Sequence, residues 1–302
     1  MDNWAKILTF TRNNNIFKKI VAKIQKTIPM QAETALFGVS GFRPIICLFN
    51  QNNMRKHIFT LFALFPLAGS PALLQAQITD PKATEVWAPE ARTVTPAAEP
   101  GQPPSDALVL FDGKNLDAWK SVKDSTKTAA WTIQDGAMTV TPGSGDIQTR
   151  RQFGDMQLHL EFRAPVVVKG EGQGRGNSGL FLQERYEVQI LDSYQNRTYS
   201  NGQAGAIYKQ SIPLVNACRK PGEWQTYDIL YAAPRFNADG IQISPGRVTV
   251  LHNGIVIQWN TEIKGTTEYI GLPKIQAHGK GAIRLQDHGD LVSYRNIWIR
   301  EL

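Results

Sequence analysis

Cysteine is nearly missing from this chain: two residues in 302, Cys47 and Cys218. Two thiols cannot build a disulfide framework, and with no Cys-x-x-Cys spacing a thiolate metal site of that kind is excluded. Long apolar runs are also scarce. The most hydrophobic one, Ile58 to Leu67, is interrupted by Thr60 and Pro66 and is too short to anchor in a bilayer. No extended 3.6-residue apolar stripe occurs after residue 106, which argues against a helical domain. Positive charge is less abundant than the net +7 suggests. Residues 1–76 hold nine of the 33 basic side chains and two of the 26 acidic ones, which leaves 33 − 9 = 24 against 26 − 2 = 24. The remainder is formally neutral and has no Lys/Arg cluster interleaved with aromatics, so nucleic acid is excluded as a partner.

Residues Met54 to Gln77 are patterned as an export signal. Arg55 and Lys56 precede the apolar run, and Leu74-Gln75-Ala76 puts a small residue before a cut. Pro66, Gly69 and Pro71 disfavour the alternative of a buried helix. The expected organisation is an upstream extension over 1–53 with translation starting at Met54, and a signal peptide over 54–76. A linker over 77–104 contains six prolines, and one domain covers 105–302. No cysteine stands directly after the signal, so no lipid anchor at a new N-terminus is expected. The expected location is the periplasm or the medium, and the oligomeric state is left open.

The domain reads as all-β. Short alternating runs recur at Trp131 to Val140, Met156 to Phe162, Tyr186 to Leu191, Thr226 to Tyr231, Arg247 to His252, Ile255 to Trp259 and Tyr294 to Ile299. Turn dipeptides such as Asp135-Gly136 and Asn253-Gly254 separate them. The pattern predicts a two-sheet antiparallel β-sandwich or jelly roll. The glycines at 170, 172, 174 and 176 precede a strand rather than a helix, which disfavours dinucleotide binding and suggests a flexible loop at a cleft rim.

Three strands carry polar faces. His159, Glu161 and Arg163 share one, Glu187 and Gln189 a second, and Arg284, Gln286 and His288 a third. If all three line one concave sheet, they assemble acids, bases and cations. The bland reading is a wetted outer face without function.

Ordered motifs then point to a family. They are LVLFDGKNLDAW (Leu108 to Trp119), GNSGLFL (Gly176 to Leu182), YEVQILDS (Tyr186 to Ser193), PGEWQTYDI (Pro221 to Ile229) and IRLQDHGDLVSYRNIWIREL (Ile283 to Leu302). Together they resemble the 3-keto-disaccharide hydrolase family, formerly a domain of unknown function, over nearly all of 107–302. The resemblance implies the concanavalin A-like lectin/glucanase sandwich and a carbohydrate substrate already oxidised to a ketone at carbon 3. The ketone acidifies the hydrogen on carbon 2, so a base forms an enolate that expels the carbon-1 aglycone. Added water then completes a net hydrolysis.

That chemistry asks for a base, an enolate stabiliser and a proton donor. Glu187 is the first candidate base, and His288 is a candidate base or acid. Arg284 and Arg163 are candidates for holding an enolate oxygen or sugar hydroxyls, with salt bridges to Glu161 or Glu187 as the competing reading. Asn177, Gln189 and Gln286 suit sugar hydroxyls, and Tyr208 with Lys209 sits on a loop able to close over a sugar. No cofactor is required by the sequence. A divalent metal on Asp287, His288 and Asp290 is a further option, although turn-favouring aspartates explain the same residues. The alternative function is a non-catalytic carbohydrate-binding module that uses some of Trp119, Trp131, Trp224, Trp259 and Trp298 as stacking platforms.

Overall fold

A computed structural model of the chain describes residues 79–302. The upstream extension and the signal peptide therefore lie outside the described residues. Among the described residues there are fifteen strands, labelled in chain order, and thirteen of them form two main antiparallel sheets. The larger runs β13 (Ile255–Ile263), β12 (Gly246–His252), β9 (Gln225–Ala232), β6 (Met156–Arg163), β15 (Ser293–Glu301), β4 (Ala137–Thr139) and β3 (Thr132–Gln134), with β1 (Leu108–Phe111) also on β15. The smaller runs β2 (Trp119–Ser121), β5 (Ile147–Thr149), β14 (Arg284–Leu285), β7 (Ser178–Leu182) and β8 (Tyr186–Ile190). A separate ribbon pairs β10 (Arg235–Phe236) with β11 (Gln242–Ser244). No helix among the described residues is long and apolar enough to cross a membrane.

The two sheets face each other across one core, as in a β-sandwich. From the smaller sheet come Ile147, Leu180, Leu182, Val188, Ile190 and Leu285. From the larger come Met156, Leu158, Leu160, Phe162, Ile229, Val248 and Val250, all in the same buried cluster. Each such side chain contributes about 1.5–3 kcal/mol by leaving water. Phenols cross between the layers: Tyr227 Oη donates to the Gln189 carbonyl at 2.8 Å, Tyr231 Oη to Gln183 Oε1 at 2.7 Å, and Tyr294 Oη to Ser178 Oγ at 2.7 Å. Buried hydroxyls need such partners, and here they also tie one sheet to the other.

The predicted turns are local consequences of backbone freedom. Asn253 and Gly254 both take positive φ, 53° and 78°, between paired His252 and Ile255. Asp135 and Gly136 do the same, 51° and 73°, so Trp131 to Val140 is a hairpin of β3 and β4 rather than one strand.

Part of the proline-rich segment is anchored rather than detached. The Gly101 carbonyl accepts hydrogen bonds from Asn296 Nδ2 and Trp298 Nε1, both at 2.8 Å, and Arg300 pairs with Asp106 at 2.8 Å. Residues around Gly101 are thus fixed on the outer face of the larger sheet.

β6 corrects one expectation. It lies in the larger sheet, so His159, Glu161 and Arg163 point outward on the side of the sandwich away from β8 and β14. His159 stacks on Trp298 at 5.3 Å and bonds Asp228 at 2.6 Å, while Glu161 pairs with Arg295 at 2.6 Å. Arg163 lies over the Trp224 ring, 4.6 Å from its centroid. These residues form a polar belt on the back of the molecule and do not join the other two faces.

Candidate active site

The smaller sheet turns its other face to a cleft of about 720 Å³. Register builds the floor row by row. Arg284 on β14 stands opposite Phe181 on β7, which stands opposite Glu187 on β8. Two residues along, on the same face, the Gln286 amide donates to the Gly179 carbonyl at 3.0 Å, and Gly179 pairs with Gln189. The first row is cation, aromatic and carboxyl; the second is amide, glycine and amide. His288 and Asn177 line the cleft beyond them.

Gly179 is the low point of the floor. A Cβ there would sit 2.7 Å from Glu187 Oε1, 2.9 Å from Phe181 Cε2 and 3.3 Å from Gln286 Oε1. The missing side chain is the space into which the Glu187 carboxyl leans, and it brings the cleft down to the backbone.

β8 is the edge strand of its sheet, and a loop covers that edge. The Gln189 amide donates to the Ala206 carbonyl at 2.9 Å, and the Tyr208 amide donates to the Glu187 carbonyl at 3.1 Å. The Glu187 amide donates to Thr267 Oγ1 at 2.9 Å. This pairing brings Tyr208 and Lys209 to the cleft wall. Tyr208 and Tyr199 share a hydroxyl–hydroxyl bond of 2.6 Å, and the Lys209 ammonium lies 4.3 Å from the Tyr269 ring centroid and donates to the Tyr269 carbonyl. The glycine-rich loop also reaches the rim but is tied down, with the Gly172 amide donating to Asn196 Oδ1 at 2.8 Å.

Electrostatics single out Glu187. Its side chain is 5% exposed, and no hydrogen bond or ion pair reaches its carboxyl among the described residues. Burial pushes its pKa up to about 8; the Arg284 charge opposes this and Asp146 adds to it. Arg284 does not neutralise it because the guanidinium is engaged elsewhere. It lies 3.8 Å from the Phe181 centroid, with Nε 3.8 Å from Asp146 Oδ2, too long for a hydrogen bond. Nε is buried without a hydrogen-bond partner, and burial lowers the Arg284 pKa. A neutral-leaning acid and an under-satisfied cation in one cleft are what a reaction that develops negative charge requires.

Eight of the nine candidates therefore line this cleft: Glu187, His288, Arg284, Asn177, Gln189, Tyr208, Lys209 and Gln286. Arg163 does not; it borders a different groove of about 540 Å³ beside Val166 and Leu291. Of the residues in the metal option, Asp287 and Asp290 make bonds to backbone amides, as turn-favouring aspartates do. Asp287 Oδ2 takes the Gly145 amide at 2.8 Å, and Asp290 Oδ2 takes the Asn177 amide at 2.7 Å. No group of three or more His, Cys, Asp or Glu among the described residues is placed to hold an ion. Five cleft residues escaped the sequence reading: Gln173, Tyr199, Thr267, Tyr269 and Phe181. Two of them had a signal: Phe181, in the strand next to Glu187, and Gln173, inside the glycine-rich loop expected at a cleft rim.

Of the five tryptophans that a binding module would use, Trp119 and Trp131 are core residues and Trp298 is covered. Trp224 is flanked by Arg163 and Arg295, and none of the five lines the cleft.

The family model described as 3-keto-alpha-glucoside-1,2-lyase-like domain matches residues 106–300. A 3-keto-disaccharide hydrolase of Bacteroides thetaiotaomicron is 26% identical over 258 residues, which covers 67% of this chain and 81% of that protein. A crystal structure of a candidate glycosyl hydrolase from Parabacteroides distasonis is 53% identical. It superposes with a TM-score of 0.71 over 74% of this chain and 97% of that one. The match spans every strand of both sheets and the whole cleft, and the chain belongs to the 3-keto-alpha-glucoside-1,2-lyase-like domain family as a glycosyl hydrolase-like enzyme of β-sandwich fold.

Proposed function

We propose that the enzyme cleaves 3-keto-glycosides by removing the proton on carbon 2, with Glu187 as base. The row Glu187–Phe181–Arg284 carries this reading, because it sets a buried carboxyl and a half-buried guanidinium two strands apart across one floor. A substrate seated in the cleft beside the Arg284 guanidinium, which itself covers the Phe181 ring, presents its carbon-2 hydrogen to Glu187 and its carbon-3 oxygen to Arg284.

The ionised Glu187 takes the proton, and the C–H electron pair moves onto the ketone as an enolate. Arg284 stabilises that charge. The enolate then collapses: the ketone re-forms, a C1=C2 double bond forms, and the C1–oxygen bond of the aglycone breaks. His288, exposed at the rim with no partner among the described residues, supplies the proton to the leaving oxygen. In the second half, water adds to carbon 1 and gives its released proton back to His288, while Glu187, its acidic proton exchanged with solvent once the aglycone has left, protonates carbon 2, so the net reaction is hydrolysis. Asn177, Gln189 and Gln286 hold ring hydroxyls, and Tyr208 with Lys209 borders the aglycone.

Turnover of a 3-keto-disaccharide in D₂O tests the route. Deuterium is expected at carbon 2 of the released 3-keto sugar, and Glu187→Gln is expected to abolish both release and labelling. Release with the carbon-2 hydrogen retained, after correction for exchange without enzyme, overturns it. Export rests on the Met54 to Gln77 pattern alone, and N-terminal sequencing of protein recovered outside the cytoplasm tests that expectation.

A further inference from the structure

One buried acceptor in the cleft is unused. Gln189 is 1% exposed, lines the floor beside Gly179, and its Oε1 has no hydrogen-bond partner. Leaving a buried carbonyl oxygen unpaired is unfavourable and uncommon, so it calls for a reason.

Its orientation is set from outside the cleft. Gln173 Nε2 donates to the Gly202 carbonyl at 2.8 Å and to Thr198 Oγ1 at 3.1 Å, so the other end of that amide, Oε1, is an acceptor. Gln189 Nε2 donates to this Oε1 at 3.0 Å. Turning the Gln189 amide over would bring two acceptors together. The relay from Gly202 through Gln173 therefore fixes which end of Gln189 is left unpaired.

A fixed acceptor selects a donor. Resting on the glycosidase reading above, we propose that Gln189 determines specificity by accepting a hydrogen bond from a hydroxyl on the oxidised sugar ring, with Gln173 as the positioning residue that keeps it an acceptor. A ketone or ether oxygen at this point would be repelled, so the ring binds with its carbon-3 ketone toward Arg284 and a hydroxyl toward Gln189. Gln189 lies two residues from Glu187 on the same strand face, roughly 7 Å away. That spacing exceeds the distance from carbon 2 to its own hydroxyl and points to a group on the far side of the ring, the 4-hydroxyl or the 6-hydroxyl. Both are hydroxyl donors, and deoxy substrates separate them.

The test compares kcat/KM for a 3-keto-glucoside with its 4-deoxy and 6-deoxy analogues, in the intact enzyme and in Gln189→Met. The intact enzyme is expected to discriminate against one analogue by about 10- to 100-fold, the range for stranding one buried partner. Gln189→Met is expected to shrink that ratio to within a few-fold of one while still turning over the analogue. Gln173→Leu is expected to shrink it in part, with kcat for the parent sugar changed less than the ratio. If Gln189→Met lowers all three substrates by the same factor, the residue is structural and the proposal is overturned. If the intact enzyme shows no preference against either analogue, it is overturned as well. Loss of C2 labelling in the D₂O experiment would instead remove the catalytic reading, so the two failures are distinguishable. A melting temperature for each variant separates misfolding from altered recognition.

Discussion

Replacing Glu187 with Gln should inactivate the enzyme and yet make it more stable, by an amount that depends on pH. Glu187 titrates near 8 in the folded protein against an ordinary 4.5. The folded state thus keeps a proton that the unfolded chain releases, and stability falls as pH climbs from 4.5 through about 8. At about 1.4 kcal/mol per pH unit, that window corresponds to about 5 kcal/mol at most. Relaxation and water entering the cleft reduce it, and about half is a sounder expectation. The substituted amide cannot ionise and does not incur this loss. Glu187→Gln should therefore match the parent's melting temperature near pH 4.5 and exceed it at pH 8.5 by about 5–10 °C for a domain of this size. Calorimetry at the two pH values reads this directly. A constant offset between the proteins at both pH values would show that the carboxyl is not held neutral, and the kinetic argument would go with it. That argument makes its own demand: with Glu187 as base, kcat/KM should rise about tenfold per pH unit below about 8 and level off above it.

Three further outcomes follow from the same geometry. Gly179→Ala should fold, because two of the three atoms its Cβ meets are the ends of polar side chains, but should lose at least tenfold in kcat/KM as the Glu187 carboxyl is displaced; a crystal structure and kinetics check this. Arg284→Met should lower kcat by about 10²–10³ with a smaller change in KM, read by single-turnover kinetics. On the back of the sandwich, burial pulls His159 down, but hydrogen bonds and charge from Asp228 and Glu161 outweigh it and hold the imidazolium at about 9. The resulting stability is complete below about 6.5 and is lost as pH rises through 9. Asp228→Asn should therefore destabilise by about 1–2 kcal/mol at pH 6 and by much less at pH 9.5, seen in denaturant melts.

Alternation along Tyr186–Ile190 and Ile283–His288 was enough to put Glu187, Gln189, Arg284 and Gln286 on the side of their strands away from the core, since Val188, Ile190 and Leu285 had nowhere else to go. The same alternation along Met156–Arg163 misleads. A sandwich has two outer faces, and a period of two says which side of a strand is wet without saying which sheet the strand joins. Arg163 was lost to that ambiguity. Tyr199, Thr267 and Tyr269, and the role of Gln173, were illegible for another reason. All four residues lie outside the regular strands: loop pairing along the β8 edge and the Thr267 bond to Glu187 bring that side of the wall to the cleft, and bonds to Thr198 and Gly202 hold Gln173 there. Gly179 reads as an ordinary strand glycine until its neighbours are known.

The pinning of Gly101 has a practical bearing on how this enzyme can be handled. Its two bonds, to Asn296 and Trp298, fix that stretch of chain on the rear of the larger sheet, whereas the cleft opens through the front of the smaller one. A tag, fluorophore or surface linkage introduced just upstream of this staple would start from the side remote from the cleft mouth, so immobilised enzyme should present its opening outward.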